Sequence, residues 1–160
     1  MIAILRPLLA LLICLSLSAC ASTTALESQT KARDAKLARV YFVRAKTMVG
    51  VALSPDIKVD GKGVGNLAAG SAFFIDRPAG HYKLTLDHEF EPGVYNRDIT
   101  LVAGQTQYFQ VVQEGRLPLY VAIGPSMVPI NGGGNGIEGP FQLRAIGQKE
   151  GEALIASVQN

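Results

Sequence analysis

From Asp56 to Asp60 the chain alternates apolar and charged residues, with Ile57 and Val59 set against Asp56, Lys58 and Asp60. That period of two marks a strand with one buried face. Asp60-Gly61 follows, a dipeptide suited to the positive backbone angles of a two-residue hairpin, and Val64–Leu67 supplies the return strand. The rhythm recurs in Tyr82, Leu84 and Leu86 against His81, Lys83, Thr85 and Asp87, and in Ile99 and Leu101 against Asp98 and Thr100. Ala72–Asp76 and Gln107–Val112 are denser runs rich in aromatic and β-branched residues. Arg39–Arg44 is apolar in both phases, which predicts a strand covered on both faces. Turn signals separate these runs: Pro78-Ala79-Gly80, expected to close a second hairpin, then Glu91-Pro92-Gly93, then Ala103-Gly104. Short strands at this spacing predict an all-β fold, a small antiparallel β-sandwich of about seven to nine strands.

The C-terminal part is less regular. Leu117–Ile130 is apolar but interrupted by Pro118, Pro125 and Pro129, so it is neither a membrane span nor a central strand throughout. Leu119, Val121 and Ile123 suggest one edge strand, and Asn131–Gly136 is a glycine-rich loop. Phe141, Leu143 and Ala145 alternate with Gln142 and Arg144 as a further strand. Glu150–Val158 reads as a short terminal helix with Leu154, Ile155 and Val158 on one side.

At the other end, Met1–Arg6 is short and basic and Leu8–Leu17 is apolar, the n- and h-regions of a signal peptide expected over residues 1–19. Pro7–Ala19 falls short of the roughly 20 apolar residues that span a bilayer. Leu17-Ser18-Ala19-Cys20 resembles the bacterial lipobox, in which signal peptidase II cuts before a cysteine already carrying diacylglycerol on its sulfur. That resemblance makes Cys20 the lipidation site and Leu17, Ser18 and Ala19 the recognition residues. Ala19-Cys20-Ala21 also fits the small-x-small site of ordinary signal peptidase, which would release a soluble protein beginning at Ser22. A diacylglyceryl cysteine, usually with a third acyl chain on its amine, gives stable attachment where one chain gives only reversible binding. Ala21 rather than Asp after the cysteine implies, by resemblance to Gram-negative lipoproteins, an outer-membrane location facing the periplasm.

Cysteine usage agrees with this reading. Cys14 lies in the leader, which leaves Cys20 alone in the mature chain, excludes an internal disulfide and hands stability to the core. Residues 20–37 are small, polar or charged and read as a flexible tether reaching about 20 to 25 Å. Residues 38–160 form the β-sandwich domain, best supported over 38–113. Without the leader, fourteen Lys and Arg stand against thirteen Asp and Glu, a balance that argues against an electrostatic nucleic-acid binder.

Four segments carry a resemblance: Val40–Arg44, Ile57–Gly65, Arg77–Leu84 and Ala103–Phe109. Together they resemble a family of small bacterial envelope lipoproteins with a domain of unknown function, similar to PEGA-type β-sandwich modules, with a "vDGkxvG" hairpin and an "xPGxhxl" turn. Ala79 departs from that turn pattern. The resemblance implies a small antiparallel sandwich over residues 38–113 and no assigned activity.

Candidate chemistry is sparse. His81 falls on the polar, outward phase of its strand. His88 sits among Asp87, Glu89 and Glu91, whose carboxylates share one side of an extended chain and make a weak Ca2+ site conceivable, against the simpler reading of a solvated charged loop. Ser126 in Gly124-Pro125-Ser126-Met127 lacks the second glycine of a nucleophile elbow. Gly61, Gly63 and Gly65 lie in a hairpin, not between strand and helix, and the loop at 132–136 lacks the Lys-Ser/Thr of a phosphate loop. Neither an enzyme nor a cofactor is expected. The leading reading is a lipid-anchored interaction or structural module with an envelope protein as partner, met through open strand edges. A glycan or peptidoglycan binder using Tyr41, Tyr82, Tyr95, Tyr108 or Tyr120 is the alternative, and a small hydrolase a more remote one.

Overall fold

The computed structural model describes residues 23–48, 50–88, 91–113, 120–123, 126–129 and 139–159. The leader, with Leu17, Ser18, Ala19 and Cys20, lies outside the described residues. The chain forms β1 (Thr24–Ala25), β2 (Ala38–Arg44), β3 (Asp56–Val59), β4 (Lys62–Asn66), β5 (Ser71–Arg77) and β6 (Gly80–His88). It continues with β7 (Glu91–Leu101), β8 (Thr106–Gln113), β9 (Tyr120–Ile123), β10 (Ser126–Pro129), β11 (Phe141–Ile146) and a helix, α1 (Gln148–Gln159).

Two sheets face each other. The first has five strands in the order β1-β4-β3-β6-β7, the second four in the order β11-β8-β2-β5, and β9 and β10 form a separate antiparallel ribbon. The alternating positions meet between the sheets: Ile57, Val59, Leu84, Leu86, Ile99 and Leu101 from the first pack against Val40, Phe42, Phe73, Ile75, Phe109 and Val111 from the second. The expected β-sandwich is therefore the fold, closed by the predicted terminal helix. The Asp60-Gly61 hairpin forms as its residues require, with φ of 49° and 78°.

Three local expectations change. The strands on either side of Pro78-Ala79-Gly80 do not pair with each other; β5 pairs with β2, and β6 with β3 and β7, so the proline turn is an arch between the sheets. Turn residues fix a chain reversal, but not whether the next strand stays in the same sheet. Glu91, Pro92 and Gly93 lie inside β7 rather than in a turn. The register there jumps, with Leu86 opposite Tyr95 but His88 opposite Glu91, and Gly93 at φ 106°, so these residues form a bulge. Finally, β8 runs parallel to β2, the one parallel pairing among described strands of an otherwise antiparallel fold.

Residues 23–37 carry little regular structure, as their composition suggests, yet they lie against both sheets. β1 pairs with β4, adding a short edge to the first sheet. The Gln29 side-chain amide then accepts from Phe74 N–H at 2.8 Å and donates to Phe74 C=O at 3.0 Å, occupying the outer edge of β5 as a strand would. Glu27 pairs with Arg77 at 2.7 Å, and Arg33 donates to Thr106 Oγ1 and to the Gly104 carbonyl. On the opposite side Arg97 and Tyr95 from β7 donate to the Leu143 carbonyl of β11, at 2.8 and 3.3 Å. Side chains thus stitch both lateral seams of the sandwich.

β2 is covered on both faces, as its two apolar phases predict. Ala38, Val40 and Phe42 point into the core, while the other face of the second sheet carries α1, which packs on β2, β5 and β8. A Cβ on Gly151 would stand 2.4 Å from Tyr108 Cδ1, so only glycine lets the helix lie this close. On the same face Arg39 and Asp76, partners across β2 and β5, form a buried bidentate pair at 2.8 and 2.9 Å. The hydrogen bond from Arg39 holds the Asp76 carboxyl below the ordinary range, against the opposing effect of burial.

Gly151→Ala is expected to destabilise the fold by about 1–3 kcal/mol through overpacking against Tyr108, although alanine favours a helix by about 1 kcal/mol over glycine. Urea denaturation monitored by circular dichroism reads the sign directly. Asp76→Ala strands the Arg39 guanidinium and is expected to cost about 3 kcal/mol at pH 7. Because the folded carboxyl binds its proton less readily than the unfolded one, the pair's contribution is complete above about pH 4 and disappears as pH falls through the folded value. Acid titration of stability should therefore show a steeper loss below that point in the wild type than in Asp76→Ala.

Candidate functional site

Among the described residues, aromatic and polar groups converge in a groove between α1, the outer face of the second sheet and the segment at Gln29, with a volume of about 510 Å3. Its floor is built by strand register. Tyr41 on β2 and Tyr108 on β8 are direct neighbours across the parallel pair, with rings 5.3 Å apart and 6° from parallel. Phe74 on β5 leans against Tyr41 at 5.4 Å and 55°, and the Arg39 guanidinium lies 3.8 Å over the Phe74 ring. From the helix, Glu152 accepts a long hydrogen bond of 3.4 Å from the Tyr108 hydroxyl.

Burial raises the Tyr108 phenol above its ordinary value, and the nearby Glu152 charge adds to the effect, so the hydroxyl stays protonated. Arg39 is pushed up by its hydrogen bond to Asp76, and it also donates to the Lys31 and Ala32 carbonyls. Its charge is committed within the protein. Phe74 and Tyr108 are buried and Tyr41 is half-buried, so the groove presents one partly exposed ring with a few donors and acceptors around it.

A second region lies at the end of the sandwich where Arg44 meets Ser71 across β2 and β5. Arg44 is 2% exposed and donates to the Leu53 carbonyl, to the Gly50 carbonyl at 2.8 Å and, more weakly, to the Leu67 carbonyl at 3.4 Å. Its guanidinium sits 4.9 Å over the Phe141 ring. Burial lowers its pKa, but a guanidinium remains charged at any pH a protein meets, so it acts as a fixed staple for the loop at 45–55.

The remaining sequence candidates do not assemble. His81 is exposed, with Nδ1 at 3.0 Å from Thr100 Oγ1, beside an open hollow of about 490 Å3 shared with Asp60, Lys83 and Asp98. His88 is half-buried with its ring 6.3 Å from Phe141. Asp87 pairs with Lys58 at 2.5 Å, and the hydrogen bond to Asp87 raises the Lys58 ammonium. Glu89 and the Glu91 side chain lie outside the described residues, and among the described residues no group of three or more His, Cys, Asp or Glu could hold a metal. Tyr82 and Tyr95 pack against the core and hydrogen-bond to the Pro78 and Leu143 carbonyls. The side chains of Tyr120 and Ser126 lie outside the described residues.

Pattern reading singled out Tyr41 and Tyr108 without pairing them, because their contact depends on the parallel register. It missed Arg39, Arg44 and Asp76. The available signal was charge at the ends of otherwise apolar strand runs, where a side chain must find a partner if the strand is buried.

No curated protein matches the chain. A family match covers residues 34–125, from just before β2 to just before β10, leaving β1, β10, β11 and α1 outside it. Spanning more than half of the sequence, that match places the chain in the family described as Protein of unknown function (DUF2846).

Proposed function

We propose that this protein is a non-catalytic interaction or structural module held on the bacterial envelope by lipid on Cys20, in the outer membrane and facing the periplasm. The observation that carries the proposal is Leu17-Ser18-Ala19-Cys20 at the end of an apolar leader, followed by Ala21. The similarity to envelope lipoproteins with PEGA-type modules, in the Val59–Gly65 hairpin and the Arg77–Leu84 turn, supports the same reading. Binding rather than catalysis is favoured because the buried charges are spent on the fold, Arg39 on Asp76 and Arg44 on backbone carbonyls. Among the described residues no helix is long and apolar enough to cross a membrane. With both lateral seams stitched, the end of the sandwich at the Val102–Gln105 turn is left as a place to meet a partner protein.

The groove beside α1 supports a second reading, a peptidoglycan or glycan binder, since sugar rings stack on flat aromatic faces such as Tyr41. Mature protein should then sediment with purified sacculi, and Tyr41→Ala should weaken this more than Tyr82→Ala; equal sedimentation of both variants removes the reading.

The anchor is tested by intact mass and membrane fractionation of the wild type against Cys20→Ser in a Gram-negative host. The expected wild type carries the mass of the acyl groups and fractionates with outer membranes, and Cys20→Ser loses both. A soluble wild type beginning at Ser22 removes the anchor from the proposal.

A further inference from the structure

Thr23 is already fixed: its hydroxyl accepts from the Ala68 N–H at 2.8 Å and contacts the Ser71 hydroxyl, and the next residue, Thr24, donates its N–H to Asn66 Oδ1 at 2.8 Å. Only three residue steps separate Cys20 from this docked position, at most about 10 Å of extended chain. An acylated Cys20 therefore holds the domain against the bilayer, not at the end of a long tether.

The surface beside Thr23 is built from two loops. The 67–70 loop, whose Ala68 contacts Thr23, adjoins the 45–55 loop through a hydrogen bond from Gly70 N–H to the Ala45 carbonyl at 3.1 Å. Gly70 also lies close against Lys46, since a Cβ there would stand 2.8 Å from Lys46 Cγ. On the 45–55 loop Met48 is 87% exposed and Val51 47%, with Lys46 exposed beside them. Met48 is the most exposed large apolar side chain among the described residues. The loop is not loose, because Arg44 grips it from below at Gly50 and Leu53, and Leu53 N–H closes a turn onto the Gly50 carbonyl at 3.0 Å.

We infer that this end of the sandwich is a membrane-contact face, in which Met48 and Val51 enter the lipid interface and Lys46 meets the phosphate headgroups. The inference rests on the anchor proposed above. Apolar side chains next to a cation on a rigid loop are the chemistry that an interface between acyl chains and anionic headgroups accepts. The stapled loop presents them without an ordering cost at each encounter. The other cap of the sandwich, with the turn at Val102–Gln105, is directed away from the lipid. The chain between Gln113 and Phe141, which includes the β9–β10 ribbon, leaves and re-enters the sandwich at the membrane end, where Gln113 pairs with Phe141 and its amide lies beside Gly50.

The test uses the full chain expressed with its leader, with Met48→Cys, Val51→Cys or Val102→Cys as the single labelled position. Val102 is 48% exposed at the far end and serves as the control. In the acylated protein the Cys20 sulfur is blocked, so a fluorophore attaches only at the new thiol. Each protein is checked by intact mass and placed in vesicles of phosphatidylethanolamine and phosphatidylglycerol. Labels at positions 48 and 51 are expected to be several-fold less accessible to aqueous iodide than the label at 102, and to be quenched by nitroxide near the headgroups. Equal iodide accessibility at all three positions in acylated protein overturns the membrane face and leaves the anchor intact. A wild type without acyl mass overturns the anchor, and the membrane face with it.

Discussion

The fold depends on β2 being buried on both faces. Its inward phase, Ala38, Val40 and Phe42, is part of the core shared by the two sheets, and its outward phase, Arg39, Tyr41 and Val43, is covered by α1 and the N-terminal segment. A strand in that position offers solvent nowhere for a charged side chain. Arg39 answers with Asp76 across the sheet, and Arg44 answers with the carbonyls of a loop. Both solutions organise more than the strand itself, since one fixes the groove floor and the other fixes a surface loop.

Sandwich edges are ordinarily where such a domain would pair with a foreign strand. Here Gln29 occupies the edge of β5, β1 occupies the edge of β4, and Arg97 with Tyr95 occupies the Leu143 carbonyl on β11. The expected route to a partner through open edges is thereby narrowed, since β7 is engaged as well, its Thr100 carbonyl accepting from the Gln107 amide at 2.8 Å. The same N-terminal segment that seals one seam also brings Thr23 to one end of the sandwich. Edge protection and placement of the chain relative to Cys20 are two results of one set of contacts.

Local alternation made the strands legible. Ile57 and Val59, or Leu84 and Leu86, could face a core only in extended chain, and Asp60-Gly61 could turn only one way. Pairing was less legible. Pro78-Ala79-Gly80 has the composition of a hairpin and forms an arch, while Glu91-Pro92-Gly93 has the composition of a turn and forms a bulge. In both cases the residues specify a local backbone geometry that more than one topology can use. Residues 23–37 show the same limit: their polarity describes the absence of regular structure, but Gln29 and Arg33 find their partners more than forty residues away in sequence.

The sequence by itself determined the strand class, the two-faced burial of β2, the terminal helix and the membership of residues 34–125 in a family. Each depends on periodicity or composition within a short window, where side-chain direction follows from backbone geometry alone. The tertiary structure decided which strands share a sheet, that Tyr41 and Tyr108 stack, that Gly151 meets Tyr108, and that Thr23 and Met48 belong to the same end. Those outcomes follow from how two sheets register against each other and against a helix, a balance of contacts between residues far apart in the chain that no local pattern encodes.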